Sequence, residues 1–295
     1  SCFDARRSTR IPLCGLMLER PMNIVCSMAL INGWWGAPEL GLVGAAWGSV
    51  IAGAFRSMYL VFFFNRERLK GQVNGFTQTT RAALLGHFHE VFPIVANFIV
   101  IFTGLLVFQA LFAQLPVSSY AAITLMLPWV KIGAMFVNSW TQASTILVSQ
   151  KLGKALYREI PGLVTQAKFV TVVMMIFMVV GFYGFSVLVP ALYPKLSSET
   201  IDALSIIAPA YIALPLFRVN NMFCGNMVRA LGESYLIVRI NLITQWLIAI
   251  PVCALLAYLK APLLMVFGVI LFDEALKYYP FKKTLARQLV KLAKS

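Results

Sequence analysis

Apolar positions in this chain form long runs, at 11–32, 38–64, 90–112, 119–149, 163–190, 201–226, 237–258 and 261–279. Each is close to or above the roughly 20 residues that a helix needs to cross the hydrocarbon core of a bilayer. Several exceed that minimum, which predicts tilted or bent helices. The pattern therefore predicts an all-α integral membrane protein with eight transmembrane helices. Composition agrees, because 60% of the 295 residues are hydrophobic and only 12% are charged, too little polar surface to cover a soluble globule.

Charge adds orientation. Lys and Arg gather in alternate connections: Arg66, Arg68, Lys70 and Arg81, then Lys151, Lys154 and Arg158, then Arg229 and Arg239, then the stretch from Lys277 to Lys294. The intervening connections hold only Lys195 and Lys260. Cytoplasmic loops retain basic residues, so both termini are expected in the cytoplasm, with the protein in the cell membrane. The net charge of +14 is then mostly topology, and no nucleic-acid partner is expected from basic residues divided among short loops. The five cysteines are scattered and match neither a disulfide framework nor a zinc spacing. No signal peptide is evident in the basic start. The opening "SCFDARRSTR" lacks a methionine and the first span carries adjacent Glu19 and Arg20, which we read as the remnant of a longer protein.

The longest connection, 65–90, separates two spans from six. A faint echo accompanies this division: "NIV" at 23–25 leads to Ala37-Pro38, and "NLI" at 241–243 leads to Ala261-Pro262. Internal repeats are a known construction of secondary transporters. The expected organisation is an N-terminal pair of spans at 1–64, a cytoplasmic linker at 65–89, a six-helix lobe at 90–279 and a basic tail at 280–295. In that tail Phe281, Leu285, Leu289 and Leu292 recur at spacings of four, four and three with lysines between. This predicts an amphipathic helix lying on an anionic leaflet, with membrane lipid as its partner.

The stretch "GAPELGLVGAAWG" at 36–48 lacks the preceding strand and the Lys-Ser/Thr of a phosphate loop. It reads instead as a turn, with Pro38 in the first turn of a helix and Gly41, Gly44 and Gly48 lining one face where a neighbouring membrane helix packs closely. Pro21, Pro93, Pro128, Pro209, Pro215 and Pro251 sit inside spans, where each removes a helical hydrogen bond that neighbours or cavity water must replace. Pro209 and Pro215, six residues apart, are the expected helix bend. Charges within spans are expensive and usually face a cavity or a partner. Glu19, Arg56, Lys131 and Arg218 are therefore the candidate substrate or ion-cavity groups, joined by the polar Asn97, Gln109, Asn220 and Asn221. For Arg56 snorkelling is an equal explanation. His87-Phe88-His89-Glu90 reads as surface decoration rather than a metal pair, and Asp273-Glu274 beside Lys277 reads as an ion-paired helix end. No nucleophile, base and orienter assemble, so no enzyme and no metal site are expected.

"NIVCSMALINGWWGAPELGLVGAAWGS" resembles the fifth and sixth helices of multidrug and toxic compound extrusion (MATE) transporters. "QASTILVSQKLGKALYREI" is similar to the end of their eighth helix and the loop after it, and "NMVRALGESYLIVRINLITQWLIAIP" to the passage from their tenth to eleventh helix. The motifs fall in the family's order. The resemblance implies twelve helices in two six-helix lobes, of which this chain holds the last two helices of the first lobe and the complete second lobe. It further implies a secondary antiporter exporting drug-like or metabolite molecules in exchange for H+ or Na+, with no cofactor beyond that coupling ion and a monomer at full length. The chain departs from the family where coupling carboxylates would fall: Ile101 and Arg218 stand there, and a guanidinium does not exchange protons. The second lobe is thus expected to lack a coupling acid, and a cavity lined by Lys131 and Arg218 would favour anionic or zwitterionic substrates. A lipid-linked precursor flippase of the same superfamily and a truncated, non-transporting product are the alternatives.

Overall fold

The structure is a computed structural model that describes residues 10–36, 38–69 and 81–294. Among the described residues the chain is built of helices alone: α1 (Arg10–Asn32), α2 (Leu42–Leu69), α3 (Arg81–Phe112), α4 (Val117–Gly153), α5 (Ile160–Leu192), α6 (Ser198–Ala230), α7 (Ser234–Tyr258) and α8 (Leu263–Lys294). Two compact units divide the chain, Ser1–Leu84 and Leu85–Ser295. Helices α1 to α7 are long and apolar enough to cross a membrane. Helix α8 has the length, but Asp273, Glu274 and Lys277 place three charges within its apolar stretch. It turns Asp273 and Lys277 inward, while Met265, Phe272 and Tyr279 remain exposed, so its outer face is still apolar.

The first unit is the hairpin α1–α2. Leu40 N–H closes the connection on the Leu30 carbonyl at 2.9 Å, and Gly41 sits at φ +54, a left-handed conformation that side chains resist. Helix α2 begins at Leu42, so Pro38 lies before the helix and not in its first turn as expected. Gly41 likewise belongs to the turn and not to the packing face. Gly44 and Gly48 do form that face: a Cβ on Gly44 would lie 2.5 Å from the Leu30 carbonyl oxygen, and one on Gly48 2.6 Å from Ser27 N. Close backbone approach of this kind is how membrane helices associate when lipid removes the hydrophobic drive.

In the second unit α6 is the central helix, with half of its span buried against 28% or less in each of the other membrane-length helices. Around it, Ile123, Met126, Phe112, Ile207, Tyr211 and Phe267 fill one end of the core, and Val148, Ile160, Phe223, Met227, Phe281 and Leu285 fill the other. Exposed apolar residues such as Phe169, Phe177 and Val187 cover the outside, a surface suited to lipid and not to water. Ser197 caps α6, its hydroxyl accepting from Thr200 N–H, a common way of satisfying one free donor of a helix start.

Two expectations change at element level. The linker at 65–89 is helical at both ends, because α2 runs to Leu69 and α3 starts at Arg81. The tail at 280–295 is no separate surface helix: α8 continues through Pro280 to Lys294. Phe281 is 3% and Leu285 6% exposed, so the apolar face expected to meet the leaflet is spent inside the protein. Finally, α7 contains a π segment, Leu242–Ala249, ending just before Pro251. Proline cannot donate to the carbonyl four residues back and its ring crowds that turn; wider winding is one way to accommodate it.

Candidate functional site

Four charged side chains of the second unit, Arg218, Asp273, Glu274 and Lys277, converge where α6, α7 and α8 meet. Four-residue spacing places Asp273 and Lys277 one above the other on α8. They are 5% and 6% exposed, and Lys277 Nζ donates to Asp273 Oδ2 at 2.5 Å. The neighbouring Glu274 is turned toward α6, where Arg218 Nε lies 3.6 Å from its Oε1. Asn221 Nδ2 donates to Glu274 Oε2 at 2.9 Å and to the Glu274 carbonyl at 2.6 Å. From α7, Thr244 lies near the Asp273 carboxyl, while its hydroxyl donates to the Ile240 carbonyl at 3.0 Å. With all four ionised, two anions face two cations and the cluster is neutral.

Hydrogen bonding in this region is incomplete. Asp273 Oδ1, Asn221 Oδ1, Asn220 Nδ2 and Gln245 Oε1 are buried without a partner. A buried polar atom left so costs on the order of 1–3 kcal/mol, and a buried ion pair offsets its desolvation only when its remaining lone pairs and protons are used.

On its flank toward α3, α7 forms a second polar seam. Asn241 Nδ2 donates to Asn97 Oδ1 at 2.7 Å and Trp246 Nε1 to the Val100 carbonyl at 3.0 Å. The Gln245 side chain fills the space left by Gly104, where a Cβ would lie 2.3 Å from Gln245 Nε2. The π segment carries Thr244, Gln245 and Trp246, so the irregular turn presents polar groups both to the α8 cluster and to α3.

The expected site residues are distributed over several places. Arg218, Asn220 and Asn221 belong to the α6 side of the cluster, and Asn97 to the α3–α7 seam. Gln109 is partly buried on α3, while Lys131 is exposed on α4. A small apolar groove between α4, α5 and α6 is walled by Val130, Met178, Phe182, Leu214 and Met222 with the stem of Arg218. Pro215 is buried and Pro209 exposed, both inside an unbroken α6. In the first unit Glu19 pairs with Arg56 at 3.0 Å, a cross-helix partner in place of the sequence-adjacent Arg20. The side chains of His87, His89 and Glu90 lie outside the described residues, and those described contain no group of metal-binding side chains.

Two expectations are corrected here. The second unit does hold internal acids, Asp273 and Glu274, and Arg218 does not offer a free positive charge, because Glu274 opposes it. Reading Asp273-Glu274 as a helix end missed them. The signal was nevertheless present: Asp273, Lys277, Phe281 and Leu285 recur every four residues, so the apolar stripe of the tail continues backward onto the charged pair, on one buried face.

The sequence profile of the MatE family matches residues 93–255. No curated protein matches the chain. Among solved structures, it is similar to a mutant of the Vibrio cholerae MATE transporter VcmN, with a TM-score of 0.79 and 17% identity over 99% of this chain and 66% of that one. A MATE protein in the bent conformation gives 0.77 and 14%, over 98% and 64%. The outward-facing form of a multidrug resistance MATE family transporter of the MOP superfamily gives 0.76 and 14%, over 96% and 63%. The chain thus spans about two thirds of the length of these proteins, and at such identities the likeness is one of fold.

Proposed function

The chain belongs to the MatE family of membrane transporters, and on that premise we propose that it serves in a secondary active antiporter. The antiporter exports drug-like or metabolite molecules across the cytoplasmic membrane in exchange for protons or sodium. The observation that carries this reading is the match of the family profile to α3 through α7, in a unit that also holds the buried Asp273–Lys277 pair and the half-buried Glu274–Arg218 pair. Alternating access is the rocking of one repeat against another around a shared site, and ionisable groups inside membrane segments are where ions and protons are handled. Pro209 and Pro215 supply a bend in α6 able to differ between the two states. Both termini face the cytoplasm, and the protein acts as a monomer at full length.

Charge in the second unit bears on substrate. A cavity with Lys131 and Arg218 unopposed makes anionic or zwitterionic substrates plausible and keeps the lipid-linked flippase as the alternative; with Glu274 beside Arg218 that support is halved, and drug-like molecules remain the first choice. Dye efflux from cells producing the protein tests the reading. Efflux above that of control cells, falling when either the proton or the sodium gradient is collapsed separately, is the expected result. Efflux absent, or indifferent to both gradients, would overturn it.

A further inference from the structure

The neutral cluster of α6, α7 and α8 contains an asymmetry that bears on the coupling ion. Lys277 Nζ holds one oxygen of Asp273, Oδ2, at 2.5 Å. The other oxygen, Oδ1, is buried and has no hydrogen-bond partner, although Asp273 as a whole is only 5% exposed. A second acceptor without a donor, Asn221 Oδ1, is buried on the facing helix, on the amide whose nitrogen grips Glu274. A proton can add at Asp273 Oδ1 without displacing the Lys277 bond, and the new O–H is a donor in a region short of donors.

We propose that Asp273 is the proton-exchanging group of this unit, with Oδ1 as the atom that takes the proton and Lys277 as the counter-ion whose charge protonation leaves unopposed. The proposal rests on the antiport reading above and narrows its ion to H+. The step is balanced: one H+ arrives from water, an O–H bond forms at Oδ1, and no bond between heavy atoms breaks. The cluster passes from neutral to one positive charge. An unbalanced charge in a low-dielectric interior is expensive, so uptake favours a state in which the Lys277 ammonium reaches water.

Sodium fits less well. It carries the same added charge but needs a shell of several oxygens, and here it would meet an ammonium already seated on the carboxylate. Facing Asp273 are Lys277 and Glu274 from its own helix and Thr244 from α7; the Thr244 hydroxyl donates to the Ile240 carbonyl at 3.0 Å. Helix α6 brings Arg218, paired with Glu274, and has Arg229 in its last turn. Arg239 stands in the first stretch of α7, and Lys168 is the one charged residue of α5. Each carboxylate of the cluster therefore already has its own cation.

Infrared difference spectroscopy on the purified chain in detergent, acidified stepwise, tests this without requiring transport. Among the carboxylic-acid carbonyl bands that the 11 Asp and Glu residues give on acidification, one component of the wild-type spectrum should be missing in Asp273→Asn, remain in Glu274→Gln, and be unchanged when sodium replaces potassium. If Asp273→Asn does not fold, Lys277→Gln serves instead. Removing the neighbouring cation should move the midpoint of that component up by roughly one to three pH units. Identical spectra for the wild type and Asp273→Asn, suppression of the Asp273 component by sodium, or a midpoint of that component that Lys277→Gln leaves in place overturns the proposal. A chain with the Asp273 component that exports nothing keeps this assignment and refutes antiport; efflux without that component does the reverse.

Discussion

At the level of single residues, several buried polar side chains are held by one another. Asn97 and Asn241 form a buried pair at 2.7 Å, so removing one leaves the other unsatisfied. Asn97→Leu should destabilise the second unit by about 1–3 kcal/mol, and the double change Asn97→Leu/Asn241→Leu should recover part of that loss. Thermal unfolding in detergent measures both. The Glu19–Arg56 pair is a different case, since Arg56 is 36% exposed. Half-solvated pairs contribute at most about 1 kcal/mol, and a double-mutant cycle with Glu19→Gln and Arg56→Met should return a coupling no larger.

At the level of elements, glycine placement and helix continuity decide the packing. Gly44 meets the α1 backbone, whereas a Cβ on Gly53 of the same helix would meet nothing within 4 Å. Gly44→Val should therefore break the α1–α2 hairpin, with loss of folded protein, while Gly53→Ala is tolerated; size-exclusion profiles and protease resistance distinguish them. For α8, burial of Phe281 among Phe223, Val148 and Ile240 means that Phe281→Ala should cost about 3–5 kcal/mol, read as a lowered unfolding temperature. An amphipathic helix resting on the leaflet would show no such drop, and would instead lose vesicle affinity.

At the level of the whole molecule, the positive-inside pattern predicts that the connection after α2 and that after α4 share one side of the membrane. In a protein freed of its native cysteines, single cysteines at Asn65, near the end of α2, and at Lys154, just after α4, should both react with an impermeant reagent only after the cytoplasmic side is opened. Labelling from opposite sides would undo the eight-span topology and the antiport reading with it. The family's alternating-access scheme needs such a topology, because a shared site works only if both lobes are threaded in fixed relation to the bilayer.

Long apolar runs and alternating basic loops are properties of the chain alone, so the all-helical membrane class, the positions of the spans within a few residues and the transporter resemblance were legible without coordinates. Gly44 and Gly48 were legible for the same reason, since their spacing of four marks one helix face. What tertiary structure decided was which residues face each other. Arg218 looked like a bare cation in a span until α8 placed Glu274 beside it, and Asp273 with Lys277 looked like a solvated helix end until the burial of Phe281 and Leu285 carried that face inside. The unpartnered Asp273 Oδ1 depends on contacts between segments far apart in the chain. Periodicity reports how one helix is striped; only the packed neighbour determines whether a charge on that stripe is solvated, paired or left waiting for a proton.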